Sequence, residues 1–243
     1  MKTFRVIAAS VLLLAMTVCT RFVRADEPKD EKKPASVIPS EKDRGRHEQF
    51  LKDKEAQLKK GPIQVVFIGD SITDGWRGGG RKTWEANYEK YNALNLGIGG
   101  DRTEHVLYRI DHGELDGLDP KAVVMMIGTN NIGSPADDVI AGIKADVAAV
   151  HAKLPNAKIL LLAVFPRGGA AADPVRAKIK GINEAISKLD GSDNVKYLDI
   201  GESFLEKDGT LPKSIMPDAL HPNEKGYEIW ADAIRPTLDE LTK

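Results

Sequence analysis

Gly69-Asp70-Ser71-Ile72-Thr73 follows directly on the apolar run Ile63-Gln64-Val65-Val66-Phe67-Ile68. Such a run reads as a buried strand that delivers a serine to its carboxyl end. A serine hydroxyl is a weak nucleophile until a neighbouring base takes its proton. Asp218-Ala219-Leu220-His221 offers that base. A three-residue step lets the carboxylate and the imidazole fold onto one another across a tight turn, so that Asp218 fixes the tautomer of His221 and stabilises its cation. Gly97-Ile98-Gly99-Gly100-Asp101 permits backbone geometry closed to other residues, so the N–H of Gly100 is a candidate donor. Asn130, in Gly128-Thr129-Asn130-Asn131, adds a neutral side-chain donor suited to an oxyanion, while Asn131 reads as a turn residue. Nucleophile, donors and base thus occur in chain order. The chemistry they predict is ester hydrolysis through an acyl-enzyme.

Each piece also has a plainer reading. Ser71 could cap the helix that follows, the glycines could be an ordinary loop, Asn130 a turn residue, and the Asp218/His221 step incidental. What favours chemistry is their joint placement, at the carboxyl ends of predicted strands or just ahead of the last helix. Rival motifs fail. The Gly-x-Ser-x-Gly elbow is absent because Thr stands at 73. The 97–100 glycines lack the third glycine of a dinucleotide fingerprint and follow the second strand rather than the first. There is no P-loop and no His-Glu-x-x-His, so neither metal nor cofactor is implied. His47, His105, His112 and His151 lie on or beside predicted helices with no carboxylate similarly placed.

The elements that must position these residues alternate. Apolar strands are expected at 63–68, 93–96, 122–127, 158–164 and 194–199. Between them, Val139, Ile143, Val147, Val150 and Leu154 recur at helical spacing behind Ser134-Pro135, read as an N-cap and N1 proline. Val175, Ile179, Ile182, Ile186 and Leu189 do so behind Asp173-Pro174. Tyr227, Trp230, Ile234, Leu238 and Leu241 mark a closing helix, with a kink expected at Pro236. The expected fold class is therefore α/β, a doubly wound five-stranded parallel sheet in flavodoxin-like order 2-1-3-4-5. That order brings the loops carrying Ser71, Gly100 and Asn130 to one crevice.

Residues 62–243 form this body. Ahead of it, 1–25 read as a signal peptide, with Lys2 and Arg5 before an apolar stretch and small residues near 25. The apolar stretch is shorter than the roughly 20 residues a membrane span needs, so no stable membrane insertion is expected. Residues 26–40, rich in Asp, Glu, Lys and Pro, read as a disordered linker, and 41–61 as a leader helix packing on the body through His47, Phe50, Leu51, Lys54 and Leu58. Cys19 is the single cysteine, so a chain cleaved near residue 25 has none, and lipidation there is disfavoured by the bulky Val18. The first 25 residues carry four cations and no acid, so removing them takes the net charge from −1 to −5. A mildly acidic exported protein has no electrostatic footprint for nucleic acid.

With Ser71, Gly100, Asn130 and His221 in place, the sequence resembles the SGNH (GDSL-like) hydrolase superfamily. It looks closest to the branch of the platelet-activating-factor acetylhydrolase Ib catalytic subunits. Asn95-Leu96-Gly97-Ile98-Gly99-Gly100-Asp101, Gly113-Glu114-Leu115, Gly128-Thr129-Asn130-Asn131 and Phe165-Pro166-Arg167-Gly168 carry the resemblance. It implies a three-layer α/β/α fold and cofactor-free hydrolysis of a small acyl ester, often acetyl. Ser71 would be nucleophile, His221 base and Asp218 its orienting group. The oxyanion would be held by Ser71 N–H, Gly100 N–H and the Asn130 side chain. Asn131 departs from the Asp common elsewhere in the superfamily but agrees with the acetylhydrolase-like branch. An exported setting favours an acetylated carbohydrate as substrate, with Trp76, Trp84 and Gly78-Gly79-Gly80 as a candidate sugar-facing rim, although Trp84 reads better as core. The alternatives are a lipid-type acetylhydrolase or lipase, and a non-catalytic carbohydrate-binding protein. Oligomeric state stays open.

Overall fold

The computed structural model describes residues 33–192 and 194–243. The expected signal peptide and the first part of the expected linker lie outside the described residues. The elements run α1 (Arg44–Leu58), β1 (Val65–Gly69), α2 (Ser71–Asp74), α3 (Arg81–Tyr88), β2 (Leu94–Gly97), α4 (Thr103–Asp111), β3 (Ala122–Met126), α5 (Ala136–Lys153), β4 (Lys158–Leu162), α6 (Pro174–Ile186), β5 (Val195–Leu198) and α7 (Glu224–Leu241). The five strands form one parallel sheet in the order β2-β1-β3-β4-β5, the order the alternating pattern predicts.

Both faces of the sheet are covered, which is why its strands read as unbroken apolar runs. Because successive side chains point to opposite faces, Val66 and Ile68 pack with Val123, Met125, Ile159 and Leu161 on one side, joined by Phe50, Val106, Ile143 and Ile182 from α1, α4, α5 and α6. Val65 and Phe67 pack on the other with Val124, Met126, Leu160, Tyr88, Trp230 and Ile234, where α3 and α7 lie. The result is a three-layer α/β/α sandwich.

Helix starts follow local chemistry. The carboxylate of Asp173 accepts the N–H of Val175 at 3.1 Å with Pro174 at N1, and Asn223 accepts that of Gly226 at 3.1 Å ahead of α7. At α5 the expectation is off by one. Pro135 itself occupies the N-cap position, and the Ser134 hydroxyl accepts from Arg102 at 3.1 Å instead. The closing helix runs on through Pro236 as one element.

The expectation of a disordered linker reaching residue 40 is corrected for its described part. Ala35–Val37 form a 3-10 turn, Ser36 is buried, and its hydroxyl donates to Asp138 O at 2.6 Å. Thr103 Oγ1 donates to Ser36 O at 2.9 Å, and Ser40 N to Glu104 O at 2.9 Å. Composition suggested solvation, but partners on α4 and α5 satisfy this backbone. The segment is a strap across the two helices, leading into α1 at its N-cap Asp43.

Candidate active site

The ends of the three central strands are level. Gly69 of β1 stands opposite Gly97 of β2 on one side and Met126 of β3 on the other. The loops after these strands therefore leave the sheet side by side, and they carry Ser71, Gly100 and Asn130. Ser71 opens α2, one short turn capped by Asp70, whose carboxylate accepts the N–H of Ile72 at 2.9 Å. This turn lies hard against β2. A Cβ at Gly97 would stand 2.2 Å from Asp74 N and 2.6 Å from Thr73 C, so only glycine admits α2 there. From the other side the Tyr227 hydroxyl of α7 donates to Ile72 O at 2.8 Å.

The structure joins Ser71, His221 and Asp218. Ser71 Oγ lies 2.9 Å from His221 Nε2, and His221 Nδ1 lies 2.6 Å from Asp218 Oδ2. The other oxygen of Asp218 accepts the backbone N–H groups of Leu220 (3.1 Å) and His221 (2.7 Å). Partial burial works against the Asp218 carboxylate, yet the bonds from the ring and these N–H groups outweigh it and hold its pKa below the ordinary value. The turn is tight enough to put Ala219 at φ 60°, a left-handed conformation. Nδ1–H donation to the carboxylate leaves Nε2 unprotonated and facing the serine, which is what a general base needs.

The donor loops are braced separately. Gly100 has φ 74°. Asn130 spends one amide hydrogen on Asp101 O, at 2.8 Å, which orients the group and leaves its second N–H unspent. Arg167, from one of the sequence stretches singled out above, donates to Thr129 O at 2.9 Å beside Asn130. Its neighbour Gly168 donates its N–H to Ala219 O at 3.0 Å, so one segment supports both the asparagine loop and the Asp218/His221 turn. Asn131 is more than a turn residue. It is fully buried, accepts from Thr103 N at 3.1 Å and donates to Glu104 at 2.9 Å, tying the loop to α4.

Three features escaped sequence reasoning. Lys42, from the strap, reaches Gly99 O and Asp101 Oδ1. Asp101 is itself held by the buried Arg109, whose Nε donates to Oδ2 at 3.0 Å and which also pairs with Glu114. Burial opposes the charge on Arg109, but the two carboxylates outweigh it and raise its pKa. Asp70 is wholly buried, and burial lifts its carboxyl to about 7. A charged residue inside an otherwise apolar strand end was the available signal for Asp70. The expected rim is corrected. Trp76 is 1% exposed and packs on Tyr227 and Trp230, because the aromatic faces of α3 and α7 close over it, while Trp84 is half-buried against Phe67.

A three-layer sheet with a serine after β1 and an Asp/His pair before the last helix defines a class. A family profile for the GDSL-like lipase/acylhydrolase family matches residues 67–229, and the chain belongs to that family. It is a carboxylic ester hydrolase. Its sequence is 39% identical over 199 residues to the alpha1 subunit of platelet-activating factor acetylhydrolase IB from Bos taurus, covering 80% of this chain and 82% of that one. The alpha2 subunit from Mus musculus is 37% identical over 185 residues, covering 74% and 76%. Similar folds include a GDSL-like lipase from Bacteroides thetaiotaomicron (TM-score 0.66, 21% identity, 80% of this chain and 97% of that one). An acetylxylan esterase from Geobacillus stearothermophilus is another (TM-score 0.59, 22% identity, 74% and 94%).

Proposed function

We propose that this protein is a serine esterase that removes a small acyl group, acetyl by preference, from a carbohydrate ester. The observation that carries the mechanism is the 2.9 Å contact between Ser71 Oγ and His221 Nε2, with Asp218 behind the ring. In this reading Ser71 attacks the ester carbonyl as His221 takes its proton. The tetrahedral oxyanion is met by the N–H groups of Ser71 and Gly100 and the free amide hydrogen of Asn130. His221 then protonates the departing alcohol, leaving an acyl-serine, and water repeats the sequence to release the acid.

The preference for a carbohydrate rests on three supports. The side chains of His221 and Asp218 are 42% and 55% exposed, an open setting that admits an acyl group carried on a bulky chain. Acetylxylan esterases share the fold, and the N-terminal pattern favours export, where acetylated glycans are met. A second reading, acetyl hydrolysis on an ether-lipid substrate, is favoured by the 39% identity to the acetylhydrolase subunit.

Turnover of p-nitrophenyl acetate tests the mechanism. Ser71→Ala should lose it almost entirely, along with labelling by a fluorophosphonate, while keeping the circular dichroism of the parent. Parent-like turnover in that variant would end the proposal. Acetylated xylo-oligosaccharide and an alkyl-acetyl-glycerophosphocholine, compared by kcat/KM, separate the two substrates; a higher value for the lipid would replace the first reading by the second.

A further inference from the structure

We infer that Lys42, contributed by the strap outside the sheet, is a positioning residue that aims the Gly100 N–H into the oxyanion site. The inference rests on the acyl-transfer reading above and concerns how its donor is held. Lys42 Nζ donates to the carbonyl of Gly99 and lies 3.3 Å from Asp101 Oδ1. That carbonyl and the N–H of Gly100 belong to one peptide group. The group is trans and planar, so its C=O and N–H point in opposite directions. A cation that pins the oxygen therefore also fixes the direction of the hydrogen, which the acyl-transfer reading aims at the oxyanion.

The need for such a pin is local. The peptide lies between two glycines, Gly99 and Gly100, and Gly100 sits at φ 74°. Without a Cβ on either side, little steric resistance opposes rotation of that peptide plane, and a rotated plane would present the carbonyl to a developing anion. Lys42 also strengthens the donor, since a charge-assisted bond to the oxygen polarises the amide.

The lysine is itself held from two directions. The strap is tied to α4 and α5 through Ser36, Ser40 and Thr103, and α1 begins one residue after Asp43. Asp101, the second partner, is 1% exposed, is anchored on Arg109, and accepts the orienting bond from Asn130 through its carbonyl. One lysine contact thus bears on both of the donors that flank Ser71. An ordinary ion pair with Asp101 would serve stability alone, and the two roles differ in what they do to the transition state.

The test uses the full chain with Lys42→Met and Lys42→Arg, assayed on p-nitrophenyl acetate and titrated with a small alkylboronic acid, whose serine adduct mimics the tetrahedral oxyanion. Losing one oxyanion donor outright costs roughly 10²–10³ in kcat, so loosening one should cost about tenfold or more. The expected result for Lys42→Met is that fall in kcat, KM changed less than twofold, and boronate affinity weakened by a similar factor. Lys42→Arg, which keeps a cation and a donor, should recover to within about threefold of the parent. Parent-like kcat and boronate affinity in Lys42→Met would overturn the inference, as would an arginine variant no better than methionine. Should the methionine variant not fold, Lys42→Gln takes its place with the same two outcomes. Failure of the parent itself to turn over the ester or take a fluorophosphonate would instead refute the acyl-transfer reading.

Discussion

Replacing Asp70 by asparagine should change how stability depends on pH, and the size of the change follows from burial. Asp70 is fully buried, burial raises its carboxyl to about 7, and the nearby Asp101 adds to the shift, although the Ile72 N–H opposes it. The ordinary value is 3.8. A group whose folded pKa is raised binds its proton more tightly in the native state. Its stabilising contribution is complete below pH 3.8 and is lost as pH rises through 7. At about 1.4 kcal/mol per unit, the whole loss is about 4 kcal/mol. Integrated between pH 5 and pH 8, it is about 3 kcal/mol. Asparagine keeps the cap, since its side-chain oxygen can accept the same N–H, but it does not titrate. Asp146, also buried with its carboxyl pushed up, is not among the groups that act on Asp70, so it is common to both proteins and cancels in the difference. Urea-denaturation free energies at the two pH values provide the measurement. The parent should lose about 3 kcal/mol more than Asp70→Asn on going from pH 5 to pH 8. Parallel pH profiles for the two proteins would refute the argument that burial holds this proton.

Asn130→Ala should lower kcat on p-nitrophenyl acetate by roughly 10²–10³, because it removes an oxyanion donor, while thermal stability changes little; an effect confined to KM would remove Asn130 from the site. Gly97→Ala should destabilise the fold by about 1–3 kcal/mol and reduce turnover, since the added methyl meets the backbone of α2 at 2.2 Å and must displace the turn that carries Ser71. Gly99→Ala is its control for stability: there the methyl comes no closer than 4.0 Å to the Ser71 side chain, and a denaturation midpoint as low as that of Gly97→Ala would discredit the packing argument.

Much of this molecule follows from near-neighbour patterns. The apolar runs ending at Ile68, Leu96 and Ile127 state a sheet buried on both faces, and the helical spacings between them state parallel crossovers. Asp218 and His221 are legible as a pair because a three-residue turn is a local event. Ser71, Gly100 and Asn130 are legible because strand order alone carries their loops to one edge. What tertiary structure decided are the contacts whose partners lie far apart along the chain and follow no period. Lys42 meets Gly99 across 57 positions from just ahead of α1, and Ser36, in a stretch whose composition looks solvated, finds Asp138 across 102. Trp76 is an exposed-looking aromatic after a loop serine until α7 covers it. The proton on Asp70 likewise belongs to its surroundings, because desolvation is a property of everything packed around a carboxyl group and of nothing in the residue itself.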